Sequence, residues 1–252
     1  MPLLAERGDF ATSRLLVADA LIGNVDEVLA SSRRFLDAWE RSGSRHAPHL
    51  AMAAAAVAMV HGLRGDDGAR AEWLAIVDGL ETAPEQKAGY NRVFDAIVLL
   101  HHGLAERALA GLLAEPEEMD ERVVWVWRHW YLALRAEAAA LTVNPEARHW
   151  IAAARAIVAG NPIAGAHLER AEALLDGDRD RMLAAAAFRA AGCRYQWART
   201  LALTDGDHAA TGVTALADLG LAPMTEAARL IPAGVPIPPT VSDRVVHEPS
   251  LP

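Results

Sequence analysis

Among the residue types of this chain, histidine has the sequence spacings that best fit a binding or catalytic site. His101 lies seven residues after Phe94 and four after Ile97, which places all three on one helical stripe. The stripe predicts that His101 points inward. A core histidine that donates to a backbone carbonyl is the interpretation we favour, and a histidine that binds a ligand is the alternative.

A second pair, His46 and His49, has the i, i+3 spacing of two metal ligands on one helix. Pro48 lies between them and indicates a helix start rather than a helix interior. No third ligand is near in the sequence, so we predict no metal site and no cofactor.

Nucleotide and nucleophile chemistry also lack their motifs. Lys87 is the only lysine, and it follows Gln86 rather than the glycine-rich loop that a P-loop requires. No Gly-x-Ser-x-Gly elbow occurs, and a single cysteine excludes an internal disulfide. We therefore predict a non-catalytic protein. The alternative is a helical enzyme or a small-molecule-binding protein whose dispersed His, Asp and Glu residues converge in space.

Aromatic residues crowd the segment 123–131. At 100° per residue, Trp127 and Trp130 fall on one side of the predicted helix, and Trp125 lies on the opposite side. His129 shares the side of Trp125. Such a helix must bury both sides, and complete burial in the core is the simpler interpretation.

The other interpretation places one side of this helix in a concave groove. An exposed Trp beside Arg128 and His129 would then suit a peptide or an anionic ligand. Arg128 and His129 should be partly accessible in that case, while Trp127 and Trp130 are buried between helical hairpins. The residues of the candidate groove are Trp125, Arg128, His129 and His101.

The charge balance argues against a polyanionic partner. Acidic residues number 33 against 24 basic ones, for a formal net charge of -9, and the arginines form no single patch. We therefore predict no direct binding of nucleic acid. No stretch of about 18 uncharged apolar residues predicts a membrane span, and Glu6 comes too early for a secretory signal. A cytoplasmic location is expected.

Apolar residues recur at helical spacing along most of the chain, and alternating β-branched runs are missing. The sequence therefore predicts an all-α fold. The predicted helices cover approximately residues 9–22, 25–42, 48–64, 68–81, 85–102, 104–114, 119–142, 145–159, 162–176, 179–191, 194–203, 207–219 and 223–230.

Glycine followed by Asp or Asn separates many of these segments. The pairs are Gly8-Asp9, Gly23-Asn24, Gly65-Asp66, Gly177-Asp178 and Gly206-Asp207. Glycine tolerates the left-handed conformation that ends a helix, and Asp or Asn then caps the next helix. We predict positive φ at Gly65, Gly177 and Gly206. Asn144 and Asn161 each precede a proline and predict two further helix starts.

Short helices joined by such turns predict an α-solenoid of tetratricopeptide-like hairpins over residues 1–231, because each pair buries its remaining apolar face on its neighbours. The composition changes at Pro232. Six of the thirteen prolines fall in residues 232–252, which predicts an extended or disordered tail.

Several segments resemble the repeat region of a known family of regulators. They are FRAAGCRYQWARTL (188–201), DGDHA (205–209), ALADLG (215–220), FLDAWER (35–41) and HGLRGD (61–66). These segments are similar to the repeats of large actinobacterial LuxR-type transcriptional regulators. Such regulators join an ATPase domain to tetratricopeptide-like repeats and end in a DNA-binding helix-turn-helix.

The resemblance loosely covers residues 1–230 and implies an architecture rather than a reaction. It implies a non-catalytic interaction or sensor module with a protein or peptide partner, equivalent to the middle of such a regulator without its ATPase and DNA-binding domains. In that family the position of Cys193 is a packing position. A third interpretation is the remnant of a truncated regulator gene.

Overall fold

The computed structural model describes residues 2–41, 50–80, 82, 84–113, 121–176 and 186–224. The side chains of residues 2–10, 38, 41, 84–86 and 121–126 lie outside this description. Within these ranges the structure contains helices and no strands, which confirms the all-α class. The helices are α1 Pro2–Ile22, α2 Val25–Arg41, α3 Ala51–Leu63, α4 Asp67–Gly79, α5 Pro84–His101, α6 Ala105–Gly111, α7 Glu121–Leu141, α8 Ala147–Ile157, α9 Pro162–Asp176, α10 Ala186–Ala190, α11 Arg194–Ala202 and α12 Gly206–Asp218.

Helices alternate between an inner and an outer position. Each of α1, α3, α5 and α7 contacts the next odd-numbered helix. Helices α2, α6 and α8 each pack on the helix before and the helix after them, and α4 packs on α3. Helix α3 buries eleven of its thirteen residues, whereas α4 buries only Trp73 and Val77. Four consecutive alanines in α3 leave room for neighbours on several sides, so this helix lies in the core.

Two of the predicted glycine turns have the expected backbone. Gly65 has φ of 75° and Gly206 has φ of 59°. At the first of these turns the Asp66 carboxylate accepts a hydrogen bond from the Ala69 N–H, which is an N-cap at the start of α4. The third predicted glycine, Gly177, lies outside the described residues.

The predicted turn at Gly8-Asp9 is wrong, because α1 runs through both residues without interruption. Leucine, alanine, glutamate and arginine, which are good helix formers, precede this glycine. One glycine inside a helix costs roughly 1 kcal/mol, and a break would require the chain to nucleate a second helix. Continuation of α1 is therefore the less costly outcome.

The two Asn-Pro pairs behave differently. Asn161 Oδ1 accepts hydrogen bonds from the backbone N–H groups of Ile163 and Ala164, and α9 begins at the proline between, as predicted. Asn144 Oδ1 instead accepts from Glu146 N–H, and α8 begins one residue after that glutamate. The second pair forms a turn that leads into a helix rather than the first residue of one.

The last described helices pack against the first helices of the chain. Helix α11 contacts α1, and a Cβ atom at Gly23 would lie only 2.7 Å from the Cβ of Tyr195, so glycine is required at this approach. After α12, the Ala222 N–H donates to Leu63 O at 3.0 Å, at the end of α3. Residues near the end of the described chain therefore pack against the first three helices.

The last predicted helices are only partly covered by the description. Helix α10 occupies five residues of the predicted segment 179–191, and residues 177–185 lie outside the described ranges. Pro223 and Met224 are not helical, while residues 225–252 are not described. None of the described helices is long and apolar enough to cross a membrane.

Candidate functional site

The residues of the candidate groove on α7 have different surroundings. Arg128 and His129 are half-buried, which agrees with partial accessibility. Trp127 is buried, and its ring packs edge-on against Phe94 of α5 with the centroids 5.3 Å apart. The side chain of Trp125 lies outside the described part of the chain.

Trp130 was expected to be buried between hairpins, but its side chain is only half-buried. Its ring meets the His167 ring of α9 with the centroids 5.6 Å apart, and the remainder of the indole reaches the surface. Residues 131–140 of the same helix are all buried. Among the described side chains of α7, partial exposure is therefore confined to residues 128–130 and to Leu141 at the end of the helix.

His129 is oriented by the cap of the next helix pair. Asn161 uses its Oδ1 to cap α9, and its Nδ2 therefore points to His129 Nδ1 at a distance of 3.2 Å. An amide nitrogen donates, so Nδ1 of the neutral imidazole is the acceptor and the proton is on Nε2. The half-buried ring consequently presents an N–H donor on the side away from Asn161.

A cleft of about 330 Å³ opens at the turn between α8 and α9. The residues of this α8–α9 cleft are Arg155, Val158, Ala159, Gly160, Asn161, Pro162, Gly165 and Leu168. Small and apolar side chains line most of it. Arg155 donates to Glu169 at 2.9 Å and also to Glu172, so its charge is balanced within the protein. Asn161 lines the cleft and also contacts His129, so the imidazole lies next to the cleft.

His101 is not part of that surface. It is fully buried at the end of α5, and its Nε2–H donates to Ala222 O at 2.9 Å, as the inward-facing stripe predicts. Burial lowers the pKa of His101 to about 4. The imidazole therefore serves as a neutral core group that ties the segment after α12 to α5, and it has no exposed atom for a partner to contact.

The most concentrated polar chemistry in the described structure lies in the interior. We name this group the polar cluster, and its members are Glu137 of α7, His167 and Arg170 of α9, and Gln196, Arg199 and Thr200 of α11, each at most 2% exposed. The segment His167-Leu168-Glu169 lacks the second half of a zinc or magnesium motif and predicts surface charges or caps, which is wrong for His167 because it is fully buried. None of the other five members was predicted to belong to a site. Glu137 in the mainly apolar segment 131–140, where Arg135 is the other charged residue, was the available signal, because charged residues are almost never fully buried unless they are paired.

Glu137 is the centre of the polar cluster. Arg199 Nη1 donates to its Oε1, while Arg170 Nη2 donates to its Oε2 at 2.7 Å. His167 Nδ1–H donates to the same Oε2 at 3.0 Å. Arg170 also donates to Thr200 Oγ1 at 2.8 Å. Three helices that are distant in the chain are joined through one carboxylate.

The protonation states in the polar cluster follow from burial and charge. Burial alone would raise the pKa of Glu137, but the guanidinium groups of Arg170 and Arg199 hold it well below its usual range. Burial lowers the pKa of His167 to about 4. Near neutral pH the cluster therefore contains an ionised carboxylate and a neutral imidazole, and neither group exchanges protons with a substrate because neither is accessible.

Comparisons with known proteins do not assign a relative to this chain. No family model, no curated protein and no solved structure matches it. Within the described ranges, no group of three or more His, Cys, Asp or Glu residues is placed to hold a metal ion.

Proposed function

We propose that this chain is a tetratricopeptide-like helical repeat protein that acts as a non-catalytic interaction or sensor module. The pairing of consecutive helices and the contacts between alternate helices support a repeat architecture. The observation that carries the functional proposal is the contrast between the sealed polar cluster and the open surface at His129. The acids and bases of the polar cluster are inaccessible, whereas the accessible groups at His129 are suited to binding.

The α8–α9 cleft and His129 form the proposed partner site. The Nε2–H of His129 offers one donor for a carbonyl oxygen, and the cleft beside it accepts a small apolar side chain between Gly160 and Leu168. A peptide segment can offer both a backbone carbonyl oxygen and a small apolar side chain, so a protein or peptide is the proposed partner. Recognition by one directed hydrogen bond and an apolar pocket is typical of such sites.

The role that we propose follows the resemblance to LuxR-type regulators. In that family the repeat region is the part through which the regulator is thought to sense a partner or ligand. The present chain would supply this function without ATP hydrolysis or DNA binding of its own. The rival proposal, an enzyme built from dispersed His and Glu residues, is less well supported because Glu137 and His167 meet where no substrate can reach them.

The proposal is tested by identifying a binding partner with the full chain as bait and then measuring affinity with the purified partner. His129→Ala should weaken binding about tenfold or more, since truncation of a central contact residue typically costs that much. His149→Ala is the matched control, because His149 is an exposed histidine of α8 outside the cleft. Equal affinities for wild type and His129→Ala would reject this surface as the partner site.

A further inference from the structure

The polar cluster carries more positive than negative charge. Arg170 and Arg199 each keep their proton at any pH at which the protein folds, and Glu137 supplies the single carboxylate between them. His167 adds no charge, because its Nδ1–H is donated to that carboxylate and the ring is neutral. One formal positive charge is therefore left in a region at most 2% exposed to solvent. Buried charge of this kind requires a partner.

Unused hydrogen-bond donors occur on both arginines of the polar cluster and on Tyr195. A guanidinium has five N–H groups, but within the described part of the chain Arg199 donates only to Glu137 and, at 3.4 Å, to Leu100 O. Its Nε has no hydrogen-bond partner among the described residues, and the same is true of the Tyr195 hydroxyl. Both terminal nitrogens of Arg170 are engaged by Glu137 and by groups of α11, and its Nε likewise has no hydrogen-bond partner among the described residues.

Tyr195 and Arg199 lie one turn apart on the same side of α11. The phenol and both guanidinium groups are close enough to influence one another's pKa values. Burial raises the pKa of Tyr195 to about 12, so its hydroxyl remains a donor. The His101 ring, 5.7 Å from the Tyr195 ring, closes the region on the side of α5. Arg199 and Tyr195 therefore each carry an unpartnered donor in a region with surplus positive charge.

We propose that Arg199 and Tyr195 bind a small monovalent anion of halide size in the interior between α5, α7, α9 and α11. The ligand must be an acceptor, since Arg199 Nε can only donate and the Tyr195 hydroxyl carries its proton. A single negative charge balances the two arginines against Glu137. The close packing of buried side chains favours a monatomic ion over a larger oxyanion. This site is independent of the partner surface at His129.

Thermal unfolding of the full chain in chloride and in gluconate, at equal ionic strength, tests the proposal. A bound ion stabilises only the folded state, so Tm should rise with chloride and not with gluconate. The expected rise is about 3–6 °C for each tenfold increase in chloride above the dissociation constant. An identical Tm in the two salts at every concentration would overturn the proposal.

Two variants connect the chloride effect to the site. Tyr195→Phe removes one donor and keeps the ring, so it should shift the chloride dependence to at least about tenfold higher concentration. Arg199→Met removes the surplus charge and should abolish the dependence. Arg148→Met is the matched control, because Arg148 pairs with Asp176 on the surface at 2.7 Å and should leave the dependence unchanged. If Arg199→Met does not fold, Tyr195→Phe decides alone, and an unchanged chloride dependence in Tyr195→Phe contradicts the proposal.

Anomalous diffraction from crystals grown with bromide locates the ion directly. The expected result is a peak within hydrogen-bond distance of Arg199 Nε and the Tyr195 hydroxyl. A water molecule at that position, or a carboxylate from residues 225–252, would show that the donors are satisfied in another way and would overturn the proposal.

Discussion

Contacts between arginine and glutamate occur in two regions with opposite arrangements. In the interior, the carboxylate of Glu137 lies between two arginines, and all three side chains are at most 2% exposed. On the surface, Arg155 of α8 lies between Glu169 and Glu172 of α9, and 42% of the Arg155 side chain is exposed. The chemical groups are the same in both regions, while the ratio of arginine to glutamate and the exposure to solvent differ.

The comparison shows that solvent access, rather than contact geometry, decides what such a pair contributes. Water and salt screen the surface group, so removal of one member leaves the others hydrated. In the interior a charge that loses its partner has no water to replace it. The interior arrangement therefore holds α7, α9 and α11 in one relative position, whereas the surface arrangement contributes little to the stability of the α8–α9 pair.

The largest expected difference between the two regions concerns their glutamates. Glu137→Gln leaves two buried guanidinium groups without a counter-charge and should reduce the free energy of unfolding by about 3–5 kcal/mol. Glu169→Gln removes one partner of a solvent-exposed arginine and should cost less than about 1 kcal/mol. Urea denaturation of both variants measures the difference. Similar losses in the two variants would show that burial does not decide how much each glutamate contributes to stability.

The pH dependence of stability should separate buried from exposed histidine. The pKa of His167 is about 4 in the folded protein and 6.5 is its ordinary value, so the unfolded chain binds more protons between these values. Stability is therefore complete above about pH 6.5 and falls as the pH drops towards 4, by up to roughly 3 kcal/mol from this residue. His101 adds a loss of the same sign.

The contribution of His167 is isolated by His167→Gln, which removes the titrating ring and retains an N–H donor for Glu137. The slope of unfolding free energy against pH between 4.5 and 6.5 should decrease by about one proton relative to wild type. The control is His208→Gln, since His208 is exposed on α12. An unchanged slope in His167→Gln would mean that His167 is not held neutral by burial.

The smallest expected effect of the three comes from Arg199→Met. This change removes the surplus cation and leaves Glu137 paired with Arg170 at 2.7 Å. Replacement of a buried ion by an apolar side chain is often tolerated, so the cost should be at most about 2 kcal/mol and clearly below that of Glu137→Gln. Denaturation curves for the two variants give the order directly. The reverse order would indicate that the two arginines are balanced by a charge other than Glu137.

The helices and several of their ends follow from the local sequence, because these features depend on residues within one or two turns. The spacing of apolar side chains predicts the all-α class, and a capping side chain acts within four residues, as at Asp66 and Asn161. The same local reasoning is wrong at Gly8. The glycine favours a turn there, whereas the helix-forming residues before it favour a continuous helix. The free energies of these two outcomes differ by only about 1 kcal/mol.

Which charged side chains meet depends on how the helices pack against one another. Glu137 is 33 residues from Arg170 and 62 residues from Arg199 in the chain, and no periodicity relates such positions. Each of these residues alone resembles an ordinary surface charge of an amphipathic helix. Burial of the odd-numbered helices and the return of α11 to α1 remove water from all three, and that desolvation converts separate surface charges into one polar cluster.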